Sequence, residues 1–195
     1  MLRTTIDKET LNELPKGEFK GVIKVITKPE EVEAVLPEIV IHSKLGFDTE
    51  SKPAFHKGTR HGIALLQISS DDTAWLFRLQ ETGFTPGLVR LMADPKIKKI
   101  GAAILDDVRG LKKLRNFEPG GFIDLQKHVD EFGVMEKGVK KMAAIFLNFK
   151  VSKRQRLTNW EAPQLTDPQL RYAATDAWVC LKIYERMLAL RNNGQ

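Results

Sequence analysis

Leu45-Gly-Phe-Asp-Thr-Glu50 carries two carboxylates that a strand does not need. Asp48 and Glu50 stand at i and i+2 in an extended context, so both side chains leave the same face of a sheet. Two carboxylates side by side repel and destabilise the fold unless a cation lies between them. A divalent metal is the usual answer, and clustered hard oxygen donors select Mg²⁺ or Mn²⁺ over zinc. At an exposed strand end the same pair is also an ordinary solvated one, so other parts of the chain must decide.

Two further acidic positions stand out. Asp106-Asp107 follows the apolar stretch Lys98-Lys-Ile-Gly-Ala-Ala-Ile104 and opens a helix. Acidic residues in a first helical turn answer the helix dipole and its free N–H groups, so one of the pair serves that end. The other is available to point across the sheet edge, where α/β proteins place their sites. Tyr172 and Asp176 are spaced i, i+4 and share one face of the last helix. Asp176 flanks the apolar stripe Leu170, Ala173, Ala174, Ala177, Leu181, Tyr184 and Leu188, where packing gives no reason for an acid.

Working outward, Gly21–Thr27 reads as a strand and Thr27-Lys-Pro-Glu30 as a capping box. The helix behind it carries Val32, Val35, Leu36, Ile39 and Val40 at amphipathic spacing. Ile63–Ser69 and Ala74–Leu79, split by Ser70-Asp-Asp-Thr73, form a hairpin signal. A short helix at 86–93, a buried strand at 98–104 and a helix at 106–115 follow, the last with Val108, Leu111 and Leu114 expected inward. Phe122–Leu125 reads as a further strand, 138–148 as a helix, and 167–191 as a long helix opened by a second capping box, Thr166-Asp-Pro-Gln169. Antiparallel strands, then β-α-β units, then helices give an α/β domain with a mixed sheet. Residues 1–18 are polar and aperiodic and are expected to be a loose arm, with 19–195 forming one domain.

Composition narrows the function classes. The 195 residues are 42% hydrophobic and 29% charged, enough to bury a core without staples. The single cysteine, Cys180, excludes an internal disulfide and a cysteine-rich zinc site, and reads as a small buried hydrophobe. No apolar run is long enough to span a bilayer, and the N-terminus has no signal-peptide core, so a soluble cytoplasmic protein is expected. No Gly-rich phosphate loop supports a nucleotide-dependent small-molecule enzyme. The net charge of +6 fits a polyanionic partner. Lys137 to Arg156 holds seven basic residues and no acidic one, so the excess sits in that one segment.

In order along the chain, Asp-x-Glu, a later Asp after a strand, and Tyr-x-x-x-Asp resemble the three motifs of the DEDDy 3′–5′ exonucleases. Gly46-Phe-Asp-Thr-Glu50, Ile63-Ala-Leu-Leu-Gln-Ile68, Lys98-Lys-Ile-Gly101 before Asp107, and Trp160 ahead of Leu165–Asp176 look most like the Werner-type exonuclease domains. Ribonuclease D is a more distant likeness, and the resemblance runs over about residues 21–190. Counting from Gly101, it selects Asp107 over Asp106.

The resemblance implies a ribonuclease H-like exonuclease fold with a mixed five- to six-stranded sheet flanked by helices. It implies that Asp48, Glu50, Asp107 and Asp176 hold two divalent ions, Mg²⁺ or Mn²⁺, roughly 3.5–4 Å apart. Tyr172 would then orient the attacking water. The expected reaction removes nucleoside 5′-monophosphates from single-stranded or frayed 3′ ends, of DNA in preference to RNA. Ribonuclease D-like trimming of RNA 3′ ends and a catalytically silent nucleic-acid-binding module are the alternatives. The backbone around Thr49 is expected near the terminal nucleotide, and Lys153, Arg154 or Arg156 against backbone phosphate. Lys52, His56, Lys57, Arg60 and His61 border the expected groove as a solvated loop rather than a zinc site. Trp160 reads as a core anchor, with base stacking as the alternative. No membrane and no obligate protein partner are expected, and the chain reads as a stand-alone nuclease domain.

Overall fold

A computed structural model describes residues 2–54, 56, 58 and 61–192. Six strands form one mixed sheet: β1 (Val22–Ile26), β2 (Lys44–Ser51), β3 (Ile63–Ser69), β4 (Thr73–Arg78), β5 (Lys98–Gly101) and β6 (Phe122–Asp124). Their spatial order is β1-β4-β3-β2-β5-β6. The β3–β4 hairpin is antiparallel, β2 runs antiparallel to β3, and β5 and β6 continue parallel to β2. β2 is therefore interior, with Asp48 and Glu50 toward its C-terminal end.

Alternation along β2 sets which face does what. Leu45 and Phe47 are fully buried in a cluster with Val32, Leu36 and Ile39 of α2 (Pro29–Val40) and Leu88, Leu91 and Met92 of α4 (Pro86–Ala93). The short helix α3 (Leu79–Thr82) joins the hairpin to α4. Gly46 takes the opposite face and meets α7 (Asp167–Asn192): a Cβ built there would lie 2.0 Å from the Ala177 carbonyl oxygen. Only glycine allows that approach, which brings the middle of α7 down onto β2. The centre of α7 is buried on more than one side, with Ala173, Ala177, Val179, Cys180 and Ile183 all shielded. The Thr166–Gln169 box closes as expected, the Thr166 N–H donating to Gln169 Oε1 at 3.0 Å.

Several elements differ from expectation. The first capping carboxylate is Glu31 rather than Glu30, accepting from the Thr27 and Lys28 N–H groups at 3.0 and 3.1 Å. The strand expected over 98–104 stops at Gly101, because Ala103 turns to φ 58°. In α5 (Leu105–Leu114) only Leu111 is fully buried, and Leu114 is 47% exposed. Steps of three residues fall short of one 3.6-residue turn, so Val108, Leu111 and Leu114 walk around the helix instead of lining one face.

The segment read as a loose arm is docked. Asp7 caps α1 (Lys8–Glu13), and Ile6 and Leu11 are buried against α6 (Val139–Leu147) and α7. Its end is tied by backbone bonds, Gly17 N–H to the Lys150 carbonyl and Lys150 N–H to that of Pro15, both 2.9 Å. A six-residue helix with one buried side chain is too short to show a period.

Candidate active site

Strand alternation sends Asp48 and Glu50 toward α7, and the Gly46–Ala177 contact sets Asp176 over them. The three half-buried carboxylates have oxygens that all lie within 4.8 Å of one another. No cation of the described residues lies within ion-pairing distance of these carboxylates. The charges act on one another instead. Burial, then Asp176, raises Glu50 to about 8, with Arg156 opposing. Burial raises Asp176 to about 7, opposed by the nearby Tyr172 hydroxyl and the charge of Lys153. Asp48 is pushed up by burial, then by Asp176, Glu50 and Asp107. Such a cluster is short of positive charge, and its all-oxygen donor set fits a hard divalent cation.

Asp107 arrives by a different route. Thr49, between the two acids of β2, points the other way, and its hydroxyl donates to Asp107 Oδ1. Asp107 stands outside the 4.8 Å group, held beside it by Thr49 and raised chiefly by burial. Its neighbour Asp106 is exposed and pairs with Arg109 at 3.2 Å.

Tyr172 is buried against Trp160, ring centroids 6.0 Å apart. Burial first, then the charges of Asp176 and Glu50, raises its hydroxyl, which therefore remains a proton donor. Trp160, 1% exposed, anchors its loop and offers no face to a base. The guanidinium of buried Arg78 holds that loop from beneath, donating to the Pro163 carbonyl at 2.6 Å and to that of Ala162.

Asp48, Glu50, Asp176 and Tyr172 line a cavity of about 330 Å³, whereas Asp107 lines an adjoining one on the far side of Thr49. Of the three basic candidates, Lys153 and Arg156 line this cavity, whereas Arg154 lines two adjoining ones. Lys52 and His61 both reach Glu161, at 3.6 and 3.4 Å. His56 is exposed, while Lys57 and Arg60 lie outside the described residues. Cys180 is buried as expected and sits under the cavity floor.

Sequence reading missed three contributors. Lys137 and Lys140 line the cavity from the turn into α6 and from its first turn, visible beforehand only as part of a charge run. Asp124 accepts from the Ala103 N–H at 3.0 Å and so pins the left-handed turn at the cavity edge. Nothing in the sequence marks that pairing, because it joins two different strand ends.

Residues 23–190 match the 3′–5′ exonuclease family. Among curated relatives, Exonuclease 3′-5′ domain-containing protein 2 of Drosophila melanogaster is 34% identical across 78% of this chain and 27% of its own length. The bifunctional 3′-5′ exonuclease/ATP-dependent helicase WRN of Mus musculus is 29% identical across 99% of this chain and 15% of its own. Ribonuclease D of Haemophilus influenzae is 37% identical across 63% of this chain and 31% of its own. The chain thus spans less than a third of the length of these relatives. Among solved structures, the Nibbler EXO domain of Aedes aegypti superposes with TM-score 0.82 at 21% identity, covering 92% of this chain and 94% of that one. Escherichia coli RNase D gives 0.77 at 22%, covering 88% and 45%. These two likenesses carry the ribonuclease H-like fold. Because the match runs from β1 almost to the end of α7, through the acidic strand and the Tyr172–Asp176 face alike, the chain belongs to the 3′–5′ exonuclease family.

Proposed function

We propose that this domain hydrolyses the terminal phosphodiester of a nucleic-acid 3′ end and releases nucleoside 5′-monophosphates. The observation that carries the reading is the convergence of Asp48, Glu50 and Asp176 within 4.8 Å without a balancing cation among the described residues. Asp48, Glu50 and Asp176, with Asp107 alongside, would hold two divalent ions, Mg²⁺ or Mn²⁺. Bound there, the ions supply Lewis acidity and an acidified water.

The chain's own groups do the positioning. Tyr172, kept protonated by its surroundings, faces Asp176 and orients the water that attacks. Thr49 holds Asp107 in place through its hydroxyl and leaves its own backbone at the cavity for the terminal nucleotide. Lys153 and Arg156, on the cavity wall, meet the phosphate, a contact without sequence information. The intact acidic set and tyrosine speak against a silent binding module.

DNA is the favoured substrate, supported by a likeness to the Werner-type exonuclease that runs the whole length of the chain. Trimming of RNA 3′ ends is the second reading, supported by the 37% identity to ribonuclease D. A 5′-labelled single strand incubated with Mg²⁺ or Mn²⁺ is expected to give a ladder shortening from its 3′ end. Chelator and Asp176→Ala both remove it. An Asp176→Ala protein that cuts as wild type does would refute the catalytic reading. DNA and RNA strands of one sequence, run side by side, choose between the substrates.

A further inference from the structure

A second cavity, of about 630 Å³, opens off the carboxylate site, and of its lining only Lys153 enters the chemistry above. Its walls come from three separate pieces of chain: Asn12 and Lys16 of the N-terminal segment, Lys140 of α6, and the loop from Lys150 to Arg154. Five side chains there are cationic and none is acidic. The cavity meets the carboxylate site at Lys140, Val151, Ser152 and Lys153, which line both.

We infer that this cleft is the track for the sugar–phosphate backbone upstream of the nucleotide being removed, a sequence-independent site for single-stranded nucleic acid. The inference rests on the exonuclease reading for its direction, and on charge and continuity for its place. The carboxylate site has another exit, a cavity of about 430 Å³ beside Tyr172 and Asp176. There Lys16, Arg154 and Arg171 are matched by Glu18, Asp167 and Asp176, so a polyanion gains little from it. A third adjoining cavity, of about 860 Å³ and reached past Thr49, also mixes signs, with Asp106 and Asp107 against Arg109, Lys112 and Lys113. The five-cation cleft, whose walls hold no acid, is therefore the exit that attracts a phosphate chain.

Docking of the N-terminal segment gives the cleft its outer wall. The backbone bonds between Pro15, Gly17 and Lys150, with the Lys150 ammonium on the Asn12 carbonyl, hold Lys16 across from Lys140. Lys16 keeps only an exposed pair with Glu18 at 2.7 Å, a weak competitor for a phosphate. Lys140 has no carboxylate partner among the described residues. Preorganised cations on three walls hold a flexible strand without reading its bases.

The test uses Lys16→Glu/Lys140→Glu, with Lys16→Gln/Lys140→Gln as a milder version and Lys96→Glu, exposed on a distant turn, as the control for net charge. Binding of a fluorescein-labelled single-stranded 12-mer is followed by anisotropy in chelator, where no cleavage occurs. The charge reversal is expected to weaken binding at least tenfold. It should also flatten the log K against log salt slope by about 1.4, roughly 0.7 per lost phosphate contact. The glutamine variant should move the same way by less, and Lys96→Glu hardly at all. With Mg²⁺, kcat/KM should fall several-fold further on the 12-mer than on a dinucleotide, which is too short to reach the cleft. Binding and salt slope unchanged in the reversal would overturn the track, as would equal losses on dinucleotide and 12-mer. If wild type cuts neither substrate yet binding still falls in the variants, the exonuclease reading fails and the cleft stands as a nucleic-acid site. Normal cutting with unchanged binding leaves the nuclease and removes the cleft.

Discussion

Tyr172 does two things that one substitution separates. Its ring packs on Trp160, and its hydroxyl faces Asp176. Tyr172→Phe keeps the ring, so the melting temperature should hold while kcat falls about 10²-fold at nearly constant KM. Single-turnover cleavage of an oligonucleotide checks this. The acidic residues make a prediction about pH. Glu50 near 8 and Asp176 near 7 both lie above the unfolded values of about 4. The folded, metal-free protein therefore binds more protons than the unfolded chain. This contribution to stability is complete below about pH 4 and is lost as pH climbs through 7 and 8. In chelator, thermal melts of wild type should fall from pH 6 to pH 8.5, and Glu50→Gln should fall less. Added Mn²⁺ should raise the wild-type melting temperature more at pH 8 than at pH 6. A metal-induced shift independent of pH would count against the carboxylates as its site.

At the scale of elements, the site is a contact between one strand and one helix. Alternation in β2 aims the acids, and Gly46 lets α7 come close enough to add Asp176. Gly46→Ala places a methyl against the Ala177 carbonyl, so α7 must lift. We expect a loss of about 1–3 kcal/mol from overpacking, with the Mn²⁺-induced shift in melting temperature shrinking further than stability alone accounts for. The loop under Tyr172 depends on Arg78, whose removal strands two carbonyls. Arg78→Ala should lower stability by about 2 kcal/mol and shift Trp160 fluorescence to the red as water reaches the ring. Denaturant melts and emission spectra read these outcomes.

For the whole molecule, the N-terminal segment is part of the body. Deleting residues 1–18 removes the buried Ile6 and Leu11 and should lower stability by about 3 kcal/mol, measured by denaturant melts. How far such features were legible in the sequence follows the range over which each acts. The i, i+2 spacing of Asp48 and Glu50 and the i, i+4 spacing of Tyr172 and Asp176 are local, and backbone geometry turns each into a shared face without help from the fold. The hairpin, the long helix and its capping box at Thr166 are local in the same sense. Other features join distant stretches: Asp107 hangs on Thr49, Asp124 pins Ala103, and Lys16 faces Lys140 across a cleft. Short spans also mislead, as when three-residue spacing placed Leu114 inside and a six-residue helix passed for a loose arm. The sequence by itself determined the acidic residues, their pairing on β2 and α7, and the family they announce. Tertiary structure alone decided that three carboxylates converge while Asp107 stands beside them, and that Lys153 and Arg156, but not Arg154, face them. The reason is that periodicity orients side chains within an element, whereas convergence depends on how elements pack, and a single methyl at Gly46 would change it.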